Sequence, residues 1–318
     1  MKNKKKLLIL GGSGFIGRNL VNFFSKQSSY EVISTYFKSK KPKVKNVKWI
    51  KCDLRNEKAV KKITKNIKII IQAAATTSGS KDIVNKPYIH VTDNAVMNSL
   101  ILRSCFENKI QHLIFFSCTV MYNSSLKPLK ENDFDPNKEI HPRYFGVANT
   151  KVYIEKMCEF YSRISETKFT CVRHSNIYGP HDKYDLDKSH FFGATIAKVA
   201  KANDYLKIWG DGSEKRDLLY IDDLVHFVSK AIINQKRNFR IYNCGLGKCY
   251  SVMDVTKKII KKFRKSRIQI KTDKTKPSIK TFLSLNNNLA KKEINWIPKI
   301  DLDKGITKTI KWYNKYYG

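Results

Sequence analysis

The first half of the chain alternates short apolar runs with stretches in which apolar residues recur at helical spacing. This alternation is typical of strands joined by crossover helices. It predicts an α/β fold with a doubly wound parallel sheet. The predicted strands cover 6–10, 31–36, 47–52, 67–71, 112–116 and 168–173, and the clearest predicted helices cover 15–26, 94–108 and 146–161.

A glycine-rich turn, GGSGFIG, directly follows the first predicted strand. Gly11 allows a tight turn, Gly14 lets the backbone approach a pyrophosphate, and Gly17 lets helix and strand pack closely. The helix that begins at Phe15 and Ile16 then directs free amides and a positive dipole at the phosphates. A glycine-rich turn without a ligand is the alternative, but the strand and helix around it favour a Rossmann-like dinucleotide site.

After residue 178 the alternation loosens into loops, short strands and two or three predicted helices, punctuated by glycine and proline. The chain shows no internal repeat and no low-complexity linker. We therefore predict a dinucleotide-binding lobe over residues 1–175 and a smaller C-terminal α/β lobe over residues 176–318. The substrate is expected to bind between them.

The composition excludes several classes of protein. No apolar run approaches the ~18 residues of a membrane span, and the four apolar residues after the basic N-terminus are too few for a signal peptide. The seven cysteines are scattered without a CxxC pair, which predicts reduced thiols and no metal site. A cytoplasmic protein is expected.

The net charge of +35 raises the question of nucleic acid. Lysines cluster at 38–48 and 257–276, but lysine greatly exceeds arginine, and a nucleic-acid site would usually interleave arginines or aromatics. Solvated surface lysines are the simpler interpretation, and nucleic acid is not the expected partner. A basic face that binds RNA stays as an alternative.

The glycine spacing is GxxGxxG, and together with motifs downstream the chain resembles the extended short-chain dehydrogenase/reductases that act on nucleotide sugars. The resemblance covers nearly the whole chain. It implies that Asp53 and Leu54 contact the adenine and that Ala73 and Ala74 line the nicotinamide pocket. The other matching segments are NIYGP (176–180), WGDGSEKRDLLYIDDL (209–224), NCGLG (243–247) and NWIPKIDLDKGI (295–306).

Within that family the chain is most similar to the GDP-L-fucose synthases. The resemblance implies that His190 is an acid/base histidine and that Trp209 and Arg216 bind the substrate. An arginine can hold a diphosphate oxygen and an indole can cover a sugar or base. It also implies substrate contacts from Asn176 and Lys280. The alternatives are a surface-loop histidine at 190 and a buried core aromatic at 209.

The end of the second predicted strand bears on the choice of nicotinamide cofactor. An acidic residue there usually binds the ribose 2′-hydroxyl of NAD. This chain has no acid between residues 34 and 40, and Lys38 is available to a 2′-phosphate. NADP(H) is therefore favoured, with NAD(H) as the alternative.

The catalytic motif of the family departs from its usual form. Relatives carry a tyrosine four residues before a lysine that binds the nicotinamide ribose and lowers the phenol pKa. Lys151 matches that lysine, but position 147 is valine. The nearest phenol that precedes Lys151 is Tyr144, roughly 10 Å from it along an ideal helix. Tyr144 can replace the missing tyrosine only if the preceding loop reshapes the helix start; packing or substrate contact is the alternative.

The position of the catalytic hydroxyl departs too, because Cys118 stands four residues before Tyr122, where relatives have serine. A thiol is a weak hydrogen-bond donor but carries protons once ionised. Ser117 or Thr119 can supply the hydroxyl instead. A small buried side chain without a catalytic role is the alternative for Cys118.

The expected function is a nucleotide-sugar oxidoreductase or epimerase that acts at C4, with C3 or C5, of a GDP-linked hexose. A 4-dehydrogenase or 4-epimerase with tightly held NAD is one alternative, because some oxidising relatives also lack the tyrosine. A cofactor-binding protein with weakened catalysis and a basic nucleic-acid-binding face is another. The resemblance also implies a homodimer formed through helices 94–108 and 146–161.

Overall fold

The computed structural model describes residues 4–76, 88–186, 189–275 and 281–318, and it confirms the doubly wound α/β fold. The strands are β1 (Lys5–Leu10), β2 (Tyr30–Tyr36), β3 (Val47–Lys51), β4 (Ile69–Gln72), β5 (His112–Phe116), β6 (Lys168–His174), β7 (Asn176–Tyr178), β8 (Tyr205–Trp209), β9 (Lys215–Tyr220), β10 (Phe239–Cys244), β11 (Cys249–Ser251), β12 (Gln269–Asp273) and β13 (Phe282–Leu283). The helices are α1 (Phe15–Phe24), α2 (Glu57–Thr64), α3 (Tyr88–Glu107), α4 (Phe145–Ile164), α5 (Phe191–Lys201), α6 (Ile221–Asn234), α7 (Val252–Lys262), α8 (Asn288–Ile294) and α9 (Leu302–Tyr317).

Seven parallel strands form the main sheet in the order β10-β6-β5-β4-β1-β2-β3. Side chains alternate along β1, so that Leu7 and Ile9 pack against α1, whereas Leu8 and Leu10 pack against the helices of the other face. Both faces are therefore covered, which explains why the central strands are continuous apolar runs. The carboxyl ends of these strands meet at one edge, where the glycine turn lies.

The second half of the chain supplies a smaller four-stranded sheet, in which β9 pairs with β7, β11 and β13, and a separate β8–β12 pair. Its described residues form five helices, so the expectation of two or three was too low. The chain also returns to the main sheet, because β10 pairs with β6 and α6 packs against α1. The lobe boundary at residue 175 stays a prediction. Strands of the main sheet come from both sides of it in the sequence, since β6 precedes it and β10 follows it.

Two buried carboxylates explain several of the motifs after residue 209. Asp217 accepts backbone N–H bonds from Leu246 at 2.7 Å and Gly247 at 3.0 Å, within NCGLG. Asp223 accepts one from Ile300 at 2.9 Å, within NWIPKIDLDKGI. These motifs therefore hold loops in place around β9 and α6. In the described part of the chain, no helix is long and apolar enough to cross a membrane.

Candidate active site

The glycine turn forms a cradle of the kind that a pyrophosphate requires. Gly11 has a φ of 77°, and a Cβ there would lie 2.6 Å from the Ala74 Cα. A Cβ on Gly17 would collide with the carbonyl of Gly11. Helix α1 begins after Gly14 with no side chain capping its first N–H groups. These amides are available to phosphate oxygens, so the residues present fit a dinucleotide.

The region of Asp53, which the sequence analysis assigned to the adenine, also contains an arginine that was not predicted. Both carboxylate oxygens of Asp53 accept hydrogen bonds from Arg55, at 3.0 and 2.8 Å. Arg55 also bonds Asp93 at 3.1 Å and lies 5.9 Å from the Phe37 ring centroid. Its hydrogen bonds, with a smaller contribution from Lys38, lower the pKa of Asp53. Sequence analysis did not identify Arg55, because its contact with Asp93 joins residues that are distant in the sequence.

Lys151 lies in the first half of α4 and points towards the end of β5. Its Nζ donates a hydrogen bond of 2.7 Å to the Phe116 carbonyl and lies 4.7 Å from the Phe115 ring centroid. Burial lowers the pKa of Lys151, while Cys118 and Glu155 act in the opposite direction. The ammonium group is therefore held at the carboxyl edge of the sheet, beside the cofactor cradle.

Tyr144 ends a 3-10 turn, Pro142–Tyr144, and α4 begins only at the next residue. The spacing of an ideal helix therefore does not set the distance between Tyr144 and Lys151. Burial raises the pKa of Tyr144, and the positive charge of Arg216 acts against that shift. The thiol of Cys118 is another electrostatic neighbour of this phenol. The side chain is half-buried, and its ring lies 5.7 Å from that of His141.

Cys118 lies two residues after the end of β5. Burial raises the pKa of its thiol, and the charges of Lys151 and Arg173 act in the opposite direction. The Ser117 hydroxyl next to it is buried and has no hydrogen-bond partner among the described residues. Thr119 is half-buried in the following turn. The structure thus offers a protonated thiol and two hydroxyls at the end of β5.

Two histidines are near the end of β5, and the ring of one, His174, lies 6.0 Å from that of Phe116. Burial lowers the pKa of His174 to about 4, with Lys151 and His190 adding smaller shifts in the same direction. His190 precedes α5, remains open to solvent and makes no side-chain cap to that helix. Desolvation by neighbouring residues lowers the pKa of His190 as well, and the positive charge of Lys183 acts in the same direction. Both imidazoles are therefore neutral at pH 7, a form that accepts protons.

The predicted substrate residues are spread along β7, β8 and β9. The Arg216 side chain donates to the Thr281 hydroxyl at 2.7 Å and remains partly exposed near Tyr144. Trp209 is 44% exposed, so the core alternative is wrong for this ring. Asn176 donates a 3.3 Å bond to a backbone carbonyl. Lys280 lies outside the described residues.

A buried ion pair behind Lys151 was not predicted. Arg173 and Glu155 are joined at 2.6 Å, and their side chains are 4% and 3% exposed. Arg173 also donates to the Tyr122 hydroxyl and the Glu131 carbonyl, each at 3.0 Å. Tyr122 donates in turn to Asn243 at 2.9 Å. This network links α4, β6 and β10 directly beneath the site.

Comparisons with known proteins agree with this architecture. The sequence profile of the epimerase family, described as NAD dependent epimerase/dehydratase, matches residues 7–245. GDP-L-colitose synthase from Yersinia pseudotuberculosis is 29% identical over 315 residues, covering 97% of this chain and 97% of its own. GDP-L-fucose synthase from Azorhizobium caulinodans is 27% identical, covering 98% of this chain and 97% of its own.

A similar fold is found among solved structures. UDP-glucose 4-epimerase from Thermotoga maritima, solved with UDP-glucose, matches with a TM-score of 0.86 at 22% identity. The match covers 98% of this chain and 99% of the other. It shows that the sheet, the flanking helices and the smaller second sheet share one arrangement with that enzyme.

Proposed function

The chain belongs to the NAD dependent epimerase/dehydratase family, and we propose that it is an epimerase-reductase acting at C4, with C3 or C5, of a GDP-linked 4-keto-6-deoxyhexose. One observation carries the proposal. The Lys151 ammonium group is fixed by the Phe116 carbonyl at 2.7 Å at the end of β5, on the same edge of the main sheet as the cradle that the glycine turn forms. The two similar proteins are, by name, synthases of GDP sugars.

The protonation states support a division of roles. The nicotinamide ring supplies or accepts hydride at the sugar C4 when it is bound. Lys151 would hold the nicotinamide ribose, and its charge stabilises negative charge that develops on the sugar oxygen. Tyr144 and Cys118 carry their protons at pH 7 and therefore suit the donation of a proton. His190 is neutral and therefore suits its removal from a carbon beside the 4-keto group.

We propose NADP(H) as the preferred cofactor. The residues at the end of β2 include Lys38, which is exposed and shows no ion pair with another described residue. Arg55 places a second cation nearby, against the Phe37 ring. Arginine and lysine are the residues that accommodate a 2′-phosphate, whereas an acid in this place would bind a 2′-hydroxyl. NAD(H) is the competing choice.

A homodimer formed through α3 and α4 is also part of the proposal. These helices pack side by side on the surface of the main sheet. Their outer faces expose large apolar side chains, which a second copy of the pair could cover. The exposed residues are Val96, Phe106, Tyr153, Phe160 and Ile164.

Turnover assays test the proposed reaction. The purified protein should convert GDP-4-keto-6-deoxymannose with NADPH, and NADPH should be at least tenfold more efficient than NADH. Arg216→Ala should raise KM on the order of 100-fold, because one diphosphate contact is lost. A different result would favour the 4-epimerase alternative. In that case the protein would reduce neither this sugar nor its C3-deoxy analogue, and it would epimerise UDP sugars at C4 with tightly held NAD.

Tyr144→Phe should lower kcat on the order of 100-fold and leave KM within a few-fold, because a positioned proton donor contributes at least that much. Tyr316→Phe, which alters an exposed phenol on α9, should have no effect. Adding Val147→Tyr to Tyr144→Phe restores a phenol at the usual position and should recover part of the rate. If Tyr144→Phe keeps more than half of the wild-type kcat, another group donates the proton.

A further inference from the structure

The second lysine cluster surrounds a groove that the proposed reaction does not use. The groove lies between α7 and β12 and has a volume of about 580 Å³. Its floor is aliphatic, and its rim carries cations from α7 and the following turn. The floor residues are Met253, Ile260, Ile268 and Ile270, and the cations are Lys257, Lys261 and Arg264.

The three rim cations have no acidic partner among the described residues, and all three are exposed. Neighbouring lysines are engaged differently. Lys258 pairs with Asp303 at 2.8 Å, and Lys265 donates to two backbone carbonyls, at 2.6 and 2.9 Å. Three unpaired cations thus lie together at the mouth of the groove, where they can act on one anionic partner.

The chemistry of the floor discriminates between anionic partners. Nucleic acids bind basic surfaces that offer aromatic rings or arginine planes for stacking bases. Among the described residues that line the groove none is aromatic, and Arg264 alone offers a plane for stacking. An aliphatic floor beneath cations instead matches a phosphate group attached to a hydrocarbon chain, since the chain can enter the groove while the phosphate stays at the rim.

We propose that this groove docks the protein on the surface of a bilayer that contains anionic phospholipid. The rim cations bind headgroup phosphates, and the floor receives the upper part of one acyl chain. Each basic residue near such a surface contributes about fivefold in binding, so three together account for on the order of 100-fold. The interaction is peripheral and falls as salt is raised.

Vesicle co-sedimentation of the full-length protein tests the proposal. Binding should be at least tenfold tighter to vesicles of phosphatidylglycerol and phosphatidylcholine than to phosphatidylcholine alone. The triple variant K257Q/K261Q/R264Q should lose most of this binding. The matched control K41Q/K43Q/K45Q removes three exposed lysines of the other cluster and should retain it. Thermal melting of each variant establishes that the fold is kept.

A floor variant separates groove binding from attraction by charge alone. Ile270→Ser leaves the net charge unchanged and should weaken vesicle binding several-fold, because the acyl chain loses apolar contact. Equal losses in the two lysine triples, or no effect of Ile270→Ser, would overturn the proposal in favour of nonspecific charge. Tighter binding of polyuridylic acid than of anionic vesicles, abolished by the rim triple, would assign the surface to nucleic acid instead. None of these readouts depends on the enzymatic reaction.

Discussion

Replacing Lys151 with alanine should lower turnover on the order of 1000-fold. The Nζ group is held between the Phe116 carbonyl, at 2.7 Å, and the Phe115 ring. With Arg173, it is one of two cations that act on the Cys118 thiol. In the proposed reaction, alanine would remove the contact with the nicotinamide ribose and the charge that stabilises the developing oxyanion. General acid–base and electrostatic contributions of ~100- to 10,000-fold are typical for such groups.

Lys156→Ala is the matched control, because it lies on the same helix but is 74% exposed and paired with Glu159 at the surface. It should keep turnover within twofold of wild type. Fluorescence titration with NADPH then separates binding from chemistry: Lys151→Ala should weaken binding less than it lowers turnover. Retention of more than a tenth of the wild-type rate would show that Lys151 is not at the reacting centre.

Local motifs explain why the cofactor cradle and Lys151 could be predicted. A strand, a glycine turn and a helix are consecutive in sequence, and the uncapped start of α1 after Gly14 follows from those residues alone. Lys151 was assigned from its match to the family's lysine, and its role at the site stays a prediction. The strands of the first half were predicted within two residues of their bounds, because buried parallel strands are continuous apolar runs.

The position of Tyr144 shows where local reasoning fails. On an ideal helix it would lie too far from Lys151, but the 3-10 turn that Tyr144 ends lies outside α4. Helix boundaries are set by competition among caps, loops and tertiary contacts, which spacing does not reveal. For the same reason α3 begins at Tyr88, six residues before the predicted start.

Long-range pairing accounts for the other differences. No pattern within residues 239–244 indicates that β10 joins the main sheet beside β6, more than sixty residues away. Arg173 did carry a signal, since a charged residue at the end of a buried strand requires a partner. The identity of that partner, Glu155, depends on how α4 packs on β6. The pairing of Arg173 with Glu155 is therefore established by the three-dimensional structure and not by the sequence.

Arg173→Leu should lower the free energy of unfolding by about 3–5 kcal/mol, because it leaves the Glu155 carboxylate buried without its cation. It also removes donors from the Tyr122 hydroxyl and the Glu131 carbonyl. Urea denaturation followed by circular dichroism measures the loss. Arg163→Leu, which breaks the ion pair between the 73% exposed Arg163 and Glu159 on α4, should cost less than about 1 kcal/mol.

The double variant Arg173→Leu/Glu155→Leu isolates the unpaired charge as the cause. Removing both charges leaves no buried ion, so the double variant should be more stable than Arg173→Leu alone. It should still be less stable than wild type, because the Tyr122 hydroxyl loses a bond. If both variants lose equal stability, packing volume rather than charge controls this region. A loss below about 1 kcal/mol for Arg173→Leu would mean that water reaches Glu155 and that the network does not support the site.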